Sequence, residues 1–273
     1  MPARWAVRAS GWRNFVPELP DVEGFRRELA KALPRRRIES VDVRDPGILR
    51  NASATALARR LTGHRFGAPR RHGKWLILPT DGPTLLIHSG MTGHPYYAKP
   101  GAQPEKYERL VMSLDQGELR YADLRKLRGV WLADGEEEVA DVLGPQGPDA
   151  LGLGLREFRG VVAGRRGRLK PTLMDQSVIA GLGNLLVDEI CWRAGIRPSF
   201  AVTELDDDAV KKLHRAMTQV LHTAVRHGRV PGLSRWLTGA RDDPDPHCPR
   251  CGTALRHGRI GGRMSFWCPA CQP

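Results

Sequence analysis

Apolar residues recur at helical spacing from Leu19 through Val22, Phe25 and Leu29 to Leu33, and Pro34 closes the run. The pattern predicts a helix there. Downstream the period shortens. Ile38–Val43, Trp75–Leu78 and residues 85–87, 110–114, 119–121 and 130–132 are short apolar segments parted by Gly, Pro and Asp. Short strands separated by turn residues predict a two-sheet sandwich or barrel rather than a parallel α/β sheet. Five acids in residues 134–141 predict a solvated loop. Residues 152–170 carry six basic side chains and one acid among glycines, the composition of a linker or a DNA-facing connection. Helical patterning then returns, with a short helix over 188–194 and a long one over 206–226, where Thr203 and Asp206 stand at capping-box spacing. A cysteine-rich module runs from His247 to the end. No internal repeat is visible, so the fold class is α+β: a β-rich domain, a helical domain and a small metal-binding appendage.

Size and charge narrow the partners. The 273 residues are 41% apolar, enough for two modest cores. Lys plus Arg number 43 against 30 acids, a formal charge of +13. That imbalance predicts attraction to polyanions, nucleic acid first, although a ribosomal or membrane-surface protein shares it. No apolar run approaches the roughly 20 residues needed to cross a bilayer. The first 16 residues hold three Arg and no acid but lack the apolar middle of a secretory signal. A cytoplasmic monomer without a membrane partner is expected.

Four of the five cysteines form two pairs, Cys248 with Cys251 and Cys268 with Cys271, and 16 residues separate the pairs. Each pair lets two thiolates reach one ion from a tight turn, and two such turns complete a closed Cys₄ site. One structural Zn²⁺ is therefore expected, with no vacancy for catalytic water. Between the pairs, residues 259–263 and 264–267 read as a β-hairpin with a basic tip. Cys191 lies in an apolar helical stretch and reads as core. In Gly181-Leu182-Gly183-Asn184, two glycines permit close approach of a backbone to another surface, and the helix that follows offers free N–H groups to an anion. Lys170 lies just upstream as a further basic residue for the same anion. Taken alone, this turn is equally compatible with an ordinary helix–helix connection.

Five segments in order carry a family resemblance. Pro17-Glu18-Leu19-Pro20-Asp21-Val22-Glu23 resembles the mature N-terminus of the formamidopyrimidine-DNA glycosylase and endonuclease VIII family. His72-Gly73-Lys74-Trp75-Leu76 resembles its segment with a catalytic lysine. His88-Ser89-Gly90-Met91-Thr92-Gly93 resembles its loop with a duplex-probing methionine. Leu169-Lys170-Pro171 with Asp175-Gln176 and the Gly-Leu-Gly-Asn turn is similar to its helix–two-turn–helix. Arg263-Met264-Ser265-Phe266-Trp267-Cys268 is similar to its zinc-finger hairpin.

The resemblance implies a catalytic β-sandwich over 17–134 with flanking helices, a linker over 135–169, a helix–two-turn–helix domain over 170–240 and a zinc finger over 245–273. It also implies base-excision repair of damaged double-stranded DNA. Pro17, as an N-terminal secondary amine, attacks C1′ and forms a Schiff base that allows strand cleavage. Glu18 is the general acid, and Lys74 contacts phosphate or assists proton transfer. Asn184 and Arg263 hold the phosphates flanking the lesion, and Lys170 positions the backbone. Met91 fills the gap left by the flipped base, Arg125 faces the orphaned partner and Leu127 is a wedge.

Departures from the family pattern qualify this picture. A proline inside a chain is a tertiary amide, so residues 1–16 are expected to be an extension outside the active protein. Initiation at Val16 through a GTG codon, with trimming of that residue, leaves Pro17 first. Pro2 is a decoy, because Ala3 follows it where the chemistry wants an acid. Leu127 stands where the family has a wedge Phe, and Asp21 replaces a frequent Glu. The stretch between Gly228 and Cys248 is shorter than in members that cover oxidised guanine with a mobile loop. Formamidopyrimidines, oxidised pyrimidines and abasic sites thus stand beside 8-oxoguanine as substrates. Two competing functions are a DNA-binding relative that kept the clamp and lost the chemistry, and a basic zinc-ribbon RNA-binding or ribosomal protein. An acid after a proline serves no purpose in either. Aromatic residues are only 6% of the chain, and no stacking motif supports RNA.

Overall fold

The computed structural model describes residues 16–273, so the expected extension falls, apart from Val16, outside the described residues. Helix α1 (Leu19–Ala32) begins at the N-cap residue Glu18 with Pro20 in its first turn and ends at Leu33. It serves two cores. Val22, Leu29 and Leu33 pack into the sandwich, whereas Leu19 at its first turn belongs to the helical core.

Two four-stranded antiparallel sheets follow. One has the order β1 (Ile38–Val43), β6 (Glu108–Leu114), β7 (Glu118–Ala122), β5 (His94–Ala98). The other runs β2 (Arg70–His72), β3 (Trp75–Leu78), β4 (Thr84–His88), β8 (Gly129–Ala133). Leu76, Leu78, Leu85 and Ile87 of the second sheet meet Leu110, Met112, Leu119 and Tyr121 of the first, and α2 (Ala54–Leu61) adds Leu57 and Leu61 to this core.

The alternate residues Trp75, Ile77 and Leu86 are also buried, because helix α3 (Gly135–Leu143) covers the outer face of the second sheet with Val139. The acidic stretch expected as a loop is therefore mostly helix. Glu136, Glu137 and Glu138 occupy the first turn, where they suit the helix dipole, and Val139, with Val142 and Leu143 beside it, docks the helix. Residues 135–169 correspondingly differ from a linker: besides α3 they hold α4 (Leu155–Val162), whose Phe158 and Val162 enter the helical core. Sequence spacing hides this helix because its outer face is Arg and Glu.

The helical core collects α4, α5 (Leu169–Met174), α6 (Asn184–Ala194) and α7 (Asp207–His227). The Asp206 carboxylate caps α7 by accepting the Ala209 N–H at 2.7 Å, and Gly228 ends it in the left-handed region. Thr203 lies instead in a separate turn of 3₁₀ helix, outside any capping box. Helix α8 (Leu237–Ala240) and Trp236 pack beside α6, so the stretch between Gly228 and Cys248 is anchored to the helical core. The C-terminal hairpin pairs β9 (Arg256–Ile260) with β10 (Arg263–Trp267). Gly261 and Gly262, both at positive φ, make its two-residue turn. Among the described residues no helix is long and apolar enough to cross a membrane.

Candidate active site and nucleic-acid interface

Where the two cores meet at the start of α1, the Gly-Leu-Gly-Asn turn presses against Glu18. A Cβ on Gly183 would lie 2.2 Å from the Glu18 carboxyl carbon, and one on Gly181 (φ 108°) would lie 2.4 Å from Leu19 Cδ1. Both glycines are thus required by close approach, as their spacing predicts. The acceptor held at the start of α6 is Glu18 itself: its carboxyl group accepts the Leu185 N–H at 2.8 Å and the Leu186 N–H at 3.2 Å. Protein, rather than a nucleic-acid phosphate, satisfies these two donors.

Glu18 is buried beside Pro17, also buried, and Val16 is exposed. Burial pushes the Glu18 carboxyl upward, against the lowering influence of Lys74 and the two backbone donors. Burial correspondingly lowers the Lys74 ammonium while Glu18 supports its charge and Arg263 opposes it. Three of the expected residues, Glu18, Lys74 and Arg263, therefore share one electrostatic site. Asp21 is buried too; one carboxylate oxygen accepts the Glu18 N–H at 2.8 Å and the other has no partner among the described residues. Burial, reinforced by Glu18, raises its carboxyl to about 8. Asn184 is the first residue of α6, and its side-chain oxygen is buried without a partner among the described residues.

Lys74 sits on a turn that is pinned from outside. Gly73 (φ 54°) gives its N–H to Asp149 at 2.7 Å, and the same carboxylate takes both terminal nitrogens of Arg71 at 2.5 and 2.9 Å. Arg71 also reaches Glu23 of α1 at 3.2 Å. Asp149 bridges in parallel to Ala180, immediately before the glycine turn. Residue 149 therefore couples the two turns, its carboxylate holding the lysine turn and its backbone bridging to the turn that holds Glu18. Arg71 and Asp149, 78 positions apart, escape sequence reading because no periodicity links them.

The probing residues gather on two loops. The Arg125 guanidinium lies 3.0 Å from the Met91 sulfur. Asp123 fixes their backbone: one carboxylate oxygen accepts the Arg125 and Lys126 N–H groups at 3.0 and 3.1 Å and the Thr92 hydroxyl at 2.6 Å. Lys126, at φ 52°, is paired with Asp45 at 2.8 Å, and Arg50 bonds the Lys126 carbonyl at 2.6 Å. Leu127 on this loop is 53% exposed.

Lys170 departs from expectation. It is fully buried, bonded to Asp188 at 2.6 Å and to the Met264 carbonyl at 3.2 Å. A side chain enclosed in this way does not reach a phosphate on the surface. Asp188 also accepts from Arg241 at 2.9 Å and from the Phe266 N–H at 3.3 Å, so the pair joins α5, α6, α8 and β10. Lys170 supports the hairpin that carries exposed Arg263. The hairpin turn seats on α5 as well, where a Cβ on Gly261 would fall 2.6 Å from Pro171.

All four paired cysteines converge, their sulfur atoms lying within 4.8 Å of one another. The separations of Cys251 from Cys268 and from Cys271 are both 3.5 Å, and Cys248 lies 3.9 Å from Cys271. Sulfur–metal bonds of about 2.3 Å in a tetrahedron place the sulfurs about 3.8 Å apart, so the donor set fits one ion. Cys191 is buried in the helical core, as its apolar setting predicts.

A buried carboxyl group thus follows a proline and shares its electrostatic site with a lysine, and a basic hairpin stands on a four-cysteine module. The formamidopyrimidine-DNA glycosylase N-terminal domain model matches residues 16–130, and that family's helix–two-turn–helix domain model matches residues 145–232. Formamidopyrimidine-DNA glycosylases of Desulfitobacterium hafniense and Rhodococcus jostii are 32% and 34% identical to the chain. Both alignments cover 94% of the chain, with 100% and 96% of the respective relatives. The structure of Lactococcus lactis FPG (MutM) in complex with FAPY-dG-containing DNA superposes with a TM-score of 0.84 at 30% identity, covering 93% of this chain and 99% of that one. The chain belongs to the formamidopyrimidine-DNA glycosylase family.

Proposed function

We propose that the chain removes ring-opened and oxidised bases from duplex DNA and then cleaves the strand through a Schiff base on Pro17. The observation that carries this reading is Glu18: a buried carboxyl held by two helix N–H groups, next in sequence to Pro17 and facing Lys74. In the active form Pro17 bears a free secondary amine, because amide resonance withdraws the lone pair of an internal proline nitrogen.

That amine adds to C1′ as the bond to the base breaks. Glu18, its proton retained by burial, protonates the ring oxygen and opens the sugar. Loss of the amine proton leaves an iminium, and removal of a proton from C2′ then expels the adjacent phosphate. Lys74 stabilises the phosphate or relays the proton. Asn184 and Arg263 hold the flanking phosphates, while Met91, Arg125 and Leu127 occupy the space left by the flipped nucleotide. Cys248, Cys251, Cys268 and Cys271 would hold one Zn²⁺, which would supply folding free energy to the hairpin. The protein acts as a monomer on cytoplasmic DNA.

Because residues 228–247 are anchored on α6, formamidopyrimidines are placed ahead of 8-oxoguanine as substrates. Protein beginning at Pro17 is expected to release the base from a duplex bearing one ring-opened guanine and to nick it there. Glu18→Gln should retain duplex binding and lose base release by about 10²-fold or more. Tight binding without excision by the parent protein would refute the reading.

A further inference from the structure

Beside the probe loop lies a second exposed patch that no step above uses. Tyr107 enters β6 at φ 67°, a left-handed conformation costly for a bulky residue. Its carbonyl accepts the Asp123 N–H at 3.0 Å, which ties it to the start of the probe loop. The residue stays 37% exposed, with Lys106 Nζ and the Arg109 guanidinium 4.9 and 5.6 Å from the ring centroid. Leu124, 46% exposed, shares with Tyr107 a cleft of about 30 Å³ that Lys106 and Thr92 also line. Arg109 is locked in place by Asp45 at 3.2 Å and by the Asp123 carbonyl at 2.9 Å.

A constrained backbone thus presents an aromatic ring, with two cations over it, and a leucine to solvent. A nucleotide fits this chemistry, its base against the ring and leucine and its phosphate toward the cations. The position selects the strand. Leu124 directly precedes Arg125, the residue assigned to the orphaned base, so the patch continues the interface on the side of the undamaged chain. We propose that Tyr107 and Leu124 form a shelf for the intact strand, taking the nucleotide next to the orphaned one; this rests on the glycosylase reading above.

The test uses the full chain and a duplex with a tetrahydrofuran abasic analogue, which cannot be processed. 2-Aminopurine is placed beside the orphaned position in the intact strand or, in a second duplex, beside the analogue in the damaged strand. The parent protein should change the fluorescence of both probes. The double variant Tyr107→Ser with Leu124→Ser should lose the intact-strand response, keep the damaged-strand response and weaken duplex binding about tenfold. A double variant that matches the parent, or that loses both responses together, overturns the shelf. So does a parent protein that binds while leaving the intact-strand probe unchanged. If the parent fails to bind the lesion duplex at all, the glycosylase reading falls and the shelf falls with it.

Discussion

At the scale of single residues the site depends on acids kept out of water. Asp21 raises a stability question with a defined sign. Its folded carboxyl lies at about 8, above the 3.8 of an exposed aspartate, so the native state binds this proton more tightly than the unfolded chain does. Its stabilising contribution is complete at pH below 3.8 and is lost as the pH climbs toward 8. Asp21→Asn, which keeps the acceptor for the Glu18 N–H, should therefore raise the melting temperature at pH 9 by about 5 °C and change it little at pH 4. A melting difference independent of pH would show that this carboxyl is not held protonated. Glu18 and Lys74 stood out only through the family resemblance of the segments that hold them; residue type and spacing alone read as an exposed helix-start acid and a solvated lysine. What the sequence did not reveal is that Glu18 takes the helix donors for itself.

Among the elements, the two turns that meet over Glu18 carry the geometry. Gly183→Ala places a methyl inside the Glu18 carboxyl group. Base excision is expected to drop at least 10²-fold while abasic-duplex binding persists, and an alanine variant with full excision would contradict the packing argument. Asp149→Ala removes the carboxylate shared by Gly73 and Arg71, leaving Arg71 largely buried with Glu23 as its remaining acid and the Gly73 carbonyl as its other acceptor. A loss in kcat larger than any rise in KM should follow, because the lysine turn loses its register against Glu18. Equal loss of thermal stability and activity, with the kcat-to-KM balance unchanged, would mark the pair as merely structural. Strand positions were readable because apolar runs ended at Gly, Pro or Asp. The strands β2 and β5 were not, since Arg70–His72 is polar and His94–Ala98 begins with His-Pro. Helix α3 escaped notice for a related reason, since its first half is acidic and Val139 is its one fully buried side chain.

Over the whole molecule, the four-cysteine module packs on α6 and the sandwich packs on α1. Lys170 and Asp188 tie the hairpin to α5 and α6 through the interior. Cys268→Ala should unfold the hairpin and weaken DNA binding, since a Cys₄ site supplies local folding free energy; undiminished affinity would rule this out. Arg263→Ala should lower affinity across sequences and reduce the salt dependence by about one phosphate equivalent. The three-part organisation was legible from composition, but the contacts joining the parts were not. Residues such as Arg71, Asp149 and Asp188 carry charge, and charge in a sequence reads as surface until a partner from another element buries it.

The most direct test of the chemistry is borohydride trapping on a duplex with one abasic site, using protein that begins at Pro17, followed by mass mapping of the adduct. Reduction should fix the sugar to the nitrogen of Pro17. An adduct on Lys74 or elsewhere, or no adduct from protein that binds the duplex, would contradict the assignment of that nitrogen as the nucleophile.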